Sequence, residues 1–257
     1  MPAIIQLCAA LTSFGLLSGW GRRVSHSIIG RCFLYLLSNK AAYTMTEQEG
    51  VIKFQLDFSP QPALSAADVA EINSWRSIML QLGMLGQTPL RYDNYGFGNI
   101  SQRFGADNQF IISGTQTGGI AQMRAADYAL VTLCQPEQNR IVAVGETRPS
   151  SEAMTHGQLY QLSGDINFVI HAHCPQIWQF AGALGLAQTR AEVPYGTVAM
   201  AQEVARLFSA TNVLQQGVFT MAGHEDGVVA FGSSADQAAQ RLISVYAAAL
   251  KRDAVPN

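Results

Sequence analysis

The feature that most constrains this chain is the apolar run Ile166-Asn167-Phe168-Val169-Ile170, which leads directly into His171-Ala172-His173. Side chains alternate faces along a strand, so residues two apart point the same way. Two imidazoles presented side by side at a strand end are half of a divalent metal site, because neutral imidazole is a common ligand for zinc and its first-row neighbours. The triplet alone also fits a plainer arrangement, with one ring in the core and the other capping a loop.

The chain holds five histidines in 257 residues, so the other three can be weighed singly. His26 lies in an unusual N-terminal segment. His224 stands in the Gly-bounded turn Thr220-Met221-Ala222-Gly223-His224-Glu225-Asp226-Gly227, between the β-like runs Gly217 to Met221 and Val228 to Phe231. Loops at strand ends are where functional residues collect. A carboxylate comes from Pro149-Ser150-Ser151-Glu152. Ser150 or Ser151 reads as a helix N-cap, which puts Glu152 in the first turn. There it serves either a metal or simply the helix dipole. His156 follows on the same helical face and reads as a core-satisfied or exposed residue rather than a further ligand.

Four segments occur in a telling order: Gly98-Asn99-Ile100-Ser101-Gln102-Arg103, Ile112-Ser113-Gly114-Thr115-Gln116-Thr117-Gly118, Pro149-Ser150-Ser151-Glu152, and His171-Ala172-His173, with His224 following late. Together they resemble the class II aldolase/adducin family, which includes fuculose-phosphate aldolase and ribulose-phosphate 4-epimerase type enzymes, over roughly Ser65 to Ala249. The resemblance implies that His171, His173 and His224 bind one divalent ion, with Glu152 at the metal as ligand or acid/base. It also implies that Asn99, Ser113, Gly114, Thr115, Ser150 and Ser151 hold the phosphate of a phosphorylated substrate. Zinc is the first expectation for the ion, with manganese and cobalt as alternatives, since nitrogen-rich sites do not choose sharply among them.

Two departures from the family pattern stand out. Glu225 and Asp226 intervene between His224 and Gly227, where the family places Gly directly after its third histidine. The stretch after His173 is also shorter, and the tyrosine proton donor of the sugar-phosphate aldolases has no clear match. Tyr195, in a later Pro-Tyr motif, is the candidate acid, with Glu225, Asp226 or water as alternatives. Cupins also combine His-x-His with Glu and a later His, but their Glu follows the pair, whereas Glu152 precedes it here.

Three imidazoles and a carboxylate leave a divalent ion with net positive charge, and an open position would bind a substrate carbonyl or hydroxyl oxygen. Such an ion stabilises the enediolate formed when a C–C bond is cleaved or an α-proton is removed, and Glu152 is the candidate for moving the proton. The expected activity is a metal-dependent lyase of the aldolase type on a small hydroxy-carbonyl substrate. Epimerisation, dehydration or decarboxylation on the same site, and a non-catalytic adducin-like scaffold, are the alternatives.

With 48% hydrophobic and 13% charged residues, the chain can bury a sizeable single core. A net charge of -2 and the lack of a basic run give no case for nucleic acid. Cys8, Cys32, Cys134 and Cys174 show no paired spacing, which suits a reducing, cytoplasmic compartment. Cys174 reads as a small buried filler beside the histidines. Residues 1–46 carry four basic residues (Arg22, Arg23, Arg31, Lys40) and no acidic one. They are expected to be an extension outside the fold, a gene-start overreach with Met45 as the true start; organelle targeting or membrane contact is the alternative. The run Ala3 to Trp20, broken by Gly15 and Gly19, supports no stable membrane insertion.

Residues 47–257 alternate strand-like and helix-like patterns. The sequence predicts a strand over Val51 to Phe58 and a helix opened by Ser65-Ala66-Ala67-Asp68 and running to about Leu82, with Ile72, Trp75, Ile78, Met79 and Leu82 on its core face. It further predicts a strand over Gln109 to Ser113, a hairpin of Tyr128 to Cys134 with Arg140 to Val144, and helices from Ser151, Val198 and Ala235, the last capped by Ser233 or Ser234. This alternation argues for a layered α/β domain. The resemblance adds a three-layer αβα domain with a central, largely antiparallel sheet and a homo-oligomer, often a tetramer.

Overall fold

The computed structural model describes residues 50–254, so the expectations for residues 1–46 lie outside the described residues. Strand β6 (Phe168–His173) is buried at every position. That is what a strand covered on both faces requires. Phe168, Ile170 and Ala172 pack in one core cluster with Ile72 and Met79 of α1 (Ala70–Gln81), Ile177 of α3 (Pro175–Phe180) and Ala238 and Leu242 of α6 (Ala235–Asp253). Val169 faces the other cluster, with Met154 and Leu159 of α2 (Ala153–Leu162), Val204 and Leu207 of α4 (Val198–Ala210), and Val213 of the short α5 (Val213–Gln216). By the strand's alternation, His171 and His173 share the face of Val169 and α2.

The remaining strands are β1 (Gln55–Pro60), β2 (Asn99–Arg103), β3 (Phe110–Ser113), β4 (Tyr128–Gln135), β5 (Arg140–Gly145), β7 (Ala187–Gln188), β8 (Val218–Thr220) and β9 (Gly227–Gly232). They form one sheet in the order β1-β5-β4-β3-β2-β6-β9-β8-β7. Among the described residues only the β1/β5 and β7/β8 pairs are parallel, so the architecture is the expected three-layer, largely antiparallel one. The β4–β5 hairpin around Pro136 and the Ser234 cap of α6, whose hydroxyl accepts the Gln237 N–H at 3.2 Å, match the sequence reading. Among the described residues no helix is long and apolar enough to cross a membrane.

Two elements differ from expectation. Ser65 and Asp68 do not open α1; Asp68 Oδ2 accepts both the N–H and the hydroxyl of Ser65 at 2.7 Å, closing a turn upon itself, and the helix begins at Ala70. Its buried face is Ile72, Arg76 and Met79, while Ile78 and Leu82 are exposed and Trp75 is partly buried against the core. The rotation has a polar cause: Arg76 Nη2 donates to Thr117 O at 3.0 Å and Asn73 Nδ2 donates to Met123 O at 2.8 Å. The loop before β4 thus claims a face that hydrophobicity alone assigns elsewhere. Strand β1 begins at Gln55 rather than Val51, because the backbone N–H of Val51 donates to the Tyr195 hydroxyl at 3.4 Å instead of joining a ladder.

Candidate metal centre

The site is assembled at the end of β6. In the β2–β6 ladder Asn99 lies opposite His171, and in the β6–β9 ladder Gly227 lies opposite His173. Gly98, just before β2, has φ +69°, and a Cβ there would sit 3.0 Å from both His171 O and Met84 O. Only glycine takes this backbone that close at no steric cost. Between β8 and β9 the chain makes a tight turn in which His224 O accepts the Gly227 N–H at 2.9 Å and Asp226 adopts φ +63°. The turn takes up Glu225 and Asp226 and returns His224 over the strand end.

The ligating atoms of His171, His173 and His224 all lie within 4.8 Å of one another, and all three side chains are buried. Glu152 comes from the start of α2. Its Oε1 is 2.9 Å from His171 Nε2 and 3.8 Å from His224 Nε2, and it accepts Asn99 Nδ2 at 3.3 Å. Ser150 and Ser151 do not cap this helix with a side chain. Glu152 itself occupies the N-cap position, and Ser150 Oγ accepts the Glu152 N–H at 3.3 Å. The correction has a simple cause: the Ser150 N–H is committed to Ser113 O at 3.1 Å, which holds the Ser-Ser segment against β3 and delays the helix.

Burial pushes His173 well below its ordinary value, reinforced by His224, His171 and Arg91; burial also brings His224 down to about 4 against the opposing pull of Glu152. Both imidazoles are therefore neutral near pH 7, the form that ligates metal. Burial resists ionisation of Glu152, but its pairing with His171, then the nearby His224 and His156, outweighs this and holds the carboxyl at about 2. Glu152 Oε2 and Asn99 Oδ1 are buried with no hydrogen-bond donor among the described residues. Three imidazoles facing an ionised carboxylate with an unsatisfied oxygen fit a divalent cation.

Beside this centre a small open cleft is lined by Asn99, Gly114, Thr115, Ser150, Ser151 and Glu152, together with Gly98, Gln116, Thr117 and Gly118. The Gly114–Pro149 bridge and the Thr115 N–H to Arg148 O bond of 2.9 Å zip the two Ser/Thr-rich turns together. Ser113 is buried but does not line the cleft; its hydroxyl accepts the Ile100 N–H at 3.2 Å.

Tyr195 is buried with its ring centroid 4.7 Å from that of His224, and Lys53 Nζ lies 3.7 Å above it. Asp226 is engaged elsewhere, accepting the Tyr92 hydroxyl at 2.6 Å, and Glu225 is exposed. His156 lies outside the three-histidine cluster; its Nδ1 meets Ser101 Oγ at 2.6 Å, and Ser101 Oγ meets the Tyr160 hydroxyl at 2.7 Å. It is a core residue, one of the two readings the sequence left open. Cys174 packs in the cluster of Ile170 and Ala172, on the face away from the histidines, as a filler does.

Sequence reading missed Tyr92, whose ring meets His173 edge-on at 4.5 Å, and Lys53 beside Tyr195. No periodicity or motif marks either residue. Gln116 and Thr117 of the cleft stood within a Gly/Thr-rich turn that had already been singled out, and extending the candidate list along that turn would have included them.

The model of the class II aldolase and adducin N-terminal domain matches residues 89–250. No curated protein gives a match. Among solved structures the fold is similar to YgbL from Klebsiella pneumoniae, a protein described only provisionally as an aldolase/epimerase/decarboxylase, with TM-score 0.56 and 17% identity over 76% of this chain and 93% of that one. It is similar to an L-fuculose 1-phosphate aldolase with TM-score 0.55 and 16% identity over 76% and 92% of the two chains. The L-fuculose-1-phosphate aldolase of Thermus thermophilus gives TM-score 0.52 and 16% identity over 73% and 97%.

Proposed function

The chain belongs to the class II aldolase and adducin family, and from that premise we propose that it is a divalent-metal lyase of the aldolase type, acting on a small hydroxy-carbonyl substrate with an anionic group. The observation that carries this reading is the convergence of His171, His173 and His224 within 4.8 Å, with Glu152 Oε1 2.9 Å from His171, beside a cleft in which Glu152 is the one charged residue among the described residues that line it. A divalent ion held by these residues supplies a Lewis acid for the negative charge that grows on a substrate oxygen during C–C cleavage.

The chain's own groups supply the rest. Glu152 accepts or returns the proton at its carboxylate, held in place by Asn99 Nδ2. Ser150, Ser151 and Thr115 offer hydroxyls, and the glycine-rich turns offer backbone N–H groups, to a phosphate or carboxylate, with no Lys or Arg among the described residues that line the cleft. Tyr195, packed on His224, is the candidate proton donor to the departing fragment.

The purified protein should carry about one divalent ion per chain by elemental analysis, and His171→Ala or His173→Ala should remove it. Glu152→Gln should keep most of the ion. The loaded enzyme, offered small hydroxy-ketones, aldol adducts and their phosphates in deuterated water, should exchange an α-proton or release an aldehyde, and Glu152→Gln should not. Full metal content in both histidine variants would sink the metal reading. Bound metal with neither exchange nor cleavage across the panel would turn the assignment to a dehydratase or a non-catalytic scaffold.

A further inference from the structure

The ten residues from Gln87 to Gly96 leave and rejoin the fold at one point, where Gly86 N–H donates to Phe97 O at 3.0 Å and Phe97 N–H donates to Gly86 O at 2.8 Å. At its far end Tyr92, Asp93 and Asn94 run consecutively at φ 49°, 52° and 63°. A left-handed turn of three non-glycine residues, one of them aromatic, is unfavourable on its own and persists only where surrounding contacts hold it.

Those contacts converge on the metal centre. The Tyr92 hydroxyl donates to Asp226 Oδ2 at 2.6 Å and accepts Arg91 Nη2 at 2.7 Å, and Arg91 lies 3.8 Å from the same carboxylate. The Tyr92 ring stands edge-on to His173 at 4.5 Å and to Phe97 at 5.0 Å, and Arg91 Nη2 reaches His173 O at 3.4 Å. Asp226 sits in the left-handed position of the turn that carries His224, and its carbonyl accepts the Cys174 N–H at 2.8 Å, one residue past His173. One residue thus touches both the strand end bearing His173 and the turn bearing His224.

We propose that Tyr92 is a positioning residue for the metal centre, clamping the His224 turn to the His173 strand end through Asp226 so that the two imidazoles keep one mutual geometry. The inference rests on the metal reading above and adds what fixes the ligands. It also accounts for the two residues between His224 and Gly227: Asp226 is the handle that the loop grips.

The test uses the full chain loaded with cobalt(II), whose visible absorption reports ligand geometry, and zinc affinity measured against a chromophoric chelator. Tyr92→Phe keeps the ring and removes the hydroxyl; Asp226→Gly keeps the left-handed backbone and removes the carboxylate. Each should weaken zinc binding about 10–100-fold and alter the cobalt spectrum. The double variant should be no weaker than the worse single one, because both act through one hydrogen bond. Wild-type affinity and an unchanged spectrum in Tyr92→Phe, even with a lowered melting temperature, would reduce Tyr92 to packing and overturn the clamp while leaving the metal reading intact. A wild-type protein that binds neither ion would overturn both.

Discussion

Gly227 stands opposite His173 in the β6–β9 ladder, and a Cβ on it would lie 2.8 Å from His224 Cδ2. The third imidazole therefore occupies the space that a side chain at position 227 would need. Gly227→Ala should push His224 off the cluster and lower metal affinity at least tenfold, while circular dichroism of the metal-free protein stays near wild type, since the added methyl meets a side chain and one turn carbonyl rather than a packed core. Wild-type affinity in this variant would mean that His224 is not held where the metal needs it.

Removing the Ser151 hydroxyl tests the cleft separately from the metal. If Ser150, Ser151 and Thr115 receive an anionic group, Ser151→Ala should raise KM about 5–20-fold for the phosphorylated member of a substrate pair, a loss of one hydrogen bond to a charged group. It should leave KM for the unphosphorylated member nearly unchanged. Inorganic phosphate should compete with the phosphorylated substrate only. Equal KM shifts for both members, or no competition, would remove the anion from the reading.

Tyr195→Phe asks whether the ring or its hydroxyl matters. The ring packs on His224 and under Lys53, so the variant should keep the fold and the ion. If the hydroxyl is the acid, turnover should fall about 100-fold or more. The hydroxyl also accepts the Val51 N–H at 3.4 Å, so a purely structural role predicts a small loss in melting temperature with turnover retained. Unchanged turnover would exclude Tyr195 as proton donor.

His156 supplies an acid sensitivity independent of any ligand. Burial, against the opposing pull of Glu152, lowers it from 6.5 to about 3. Between those values the unfolded chain binds a proton that the folded chain refuses, so stability present above pH 6.5 is lost as pH falls towards about 3, by a few kcal/mol at most. In metal-free protein, the urea midpoint should drop less between pH 7 and pH 4 for His156→Gln than for wild type. Equal drops in the two proteins would show that this imidazole does not carry the effect.

Much of the layering was readable in advance because it follows from local periodicity. The apolar run before His171 had to be a buried strand, and alternation alone placed both imidazoles on one face. The cap at Ser233 or Ser234, which is Ser234, and the hairpin strand read over Tyr128 to Cys134, which runs one residue further, declared themselves through cap and turn chemistry. The Gly-Asn, Gly-Thr and Ser-Ser-Glu segments carry hydroxyls and bare backbones together, so these stretches of the cleft lining could be marked in advance, although Ser113 does not line it and Gln116 and Thr117, which do, were not singled out. In α1, by contrast, hydrophobicity pointed to Ile78 and Leu82, and a buried arginine reaching Thr117 turned the helix instead.

What the sequence determined by itself is therefore the set of chemically capable groups and, in the strand that carries His171 and His173, the face each occupies, since alternation depends only on neighbours along the strand. What only tertiary structure decided is which distant groups meet. Glu152 reaches His171 because Ser150 is tied to β3, and His224 reaches both histidines because a tight turn absorbs Glu225 and Asp226. Tyr92 reaches His173 from a loop with no pattern of its own. Contacts between segments so far apart along the chain are set by sheet order and by hydrogen bonds among loops, and neither leaves a periodic trace in the residues that make them.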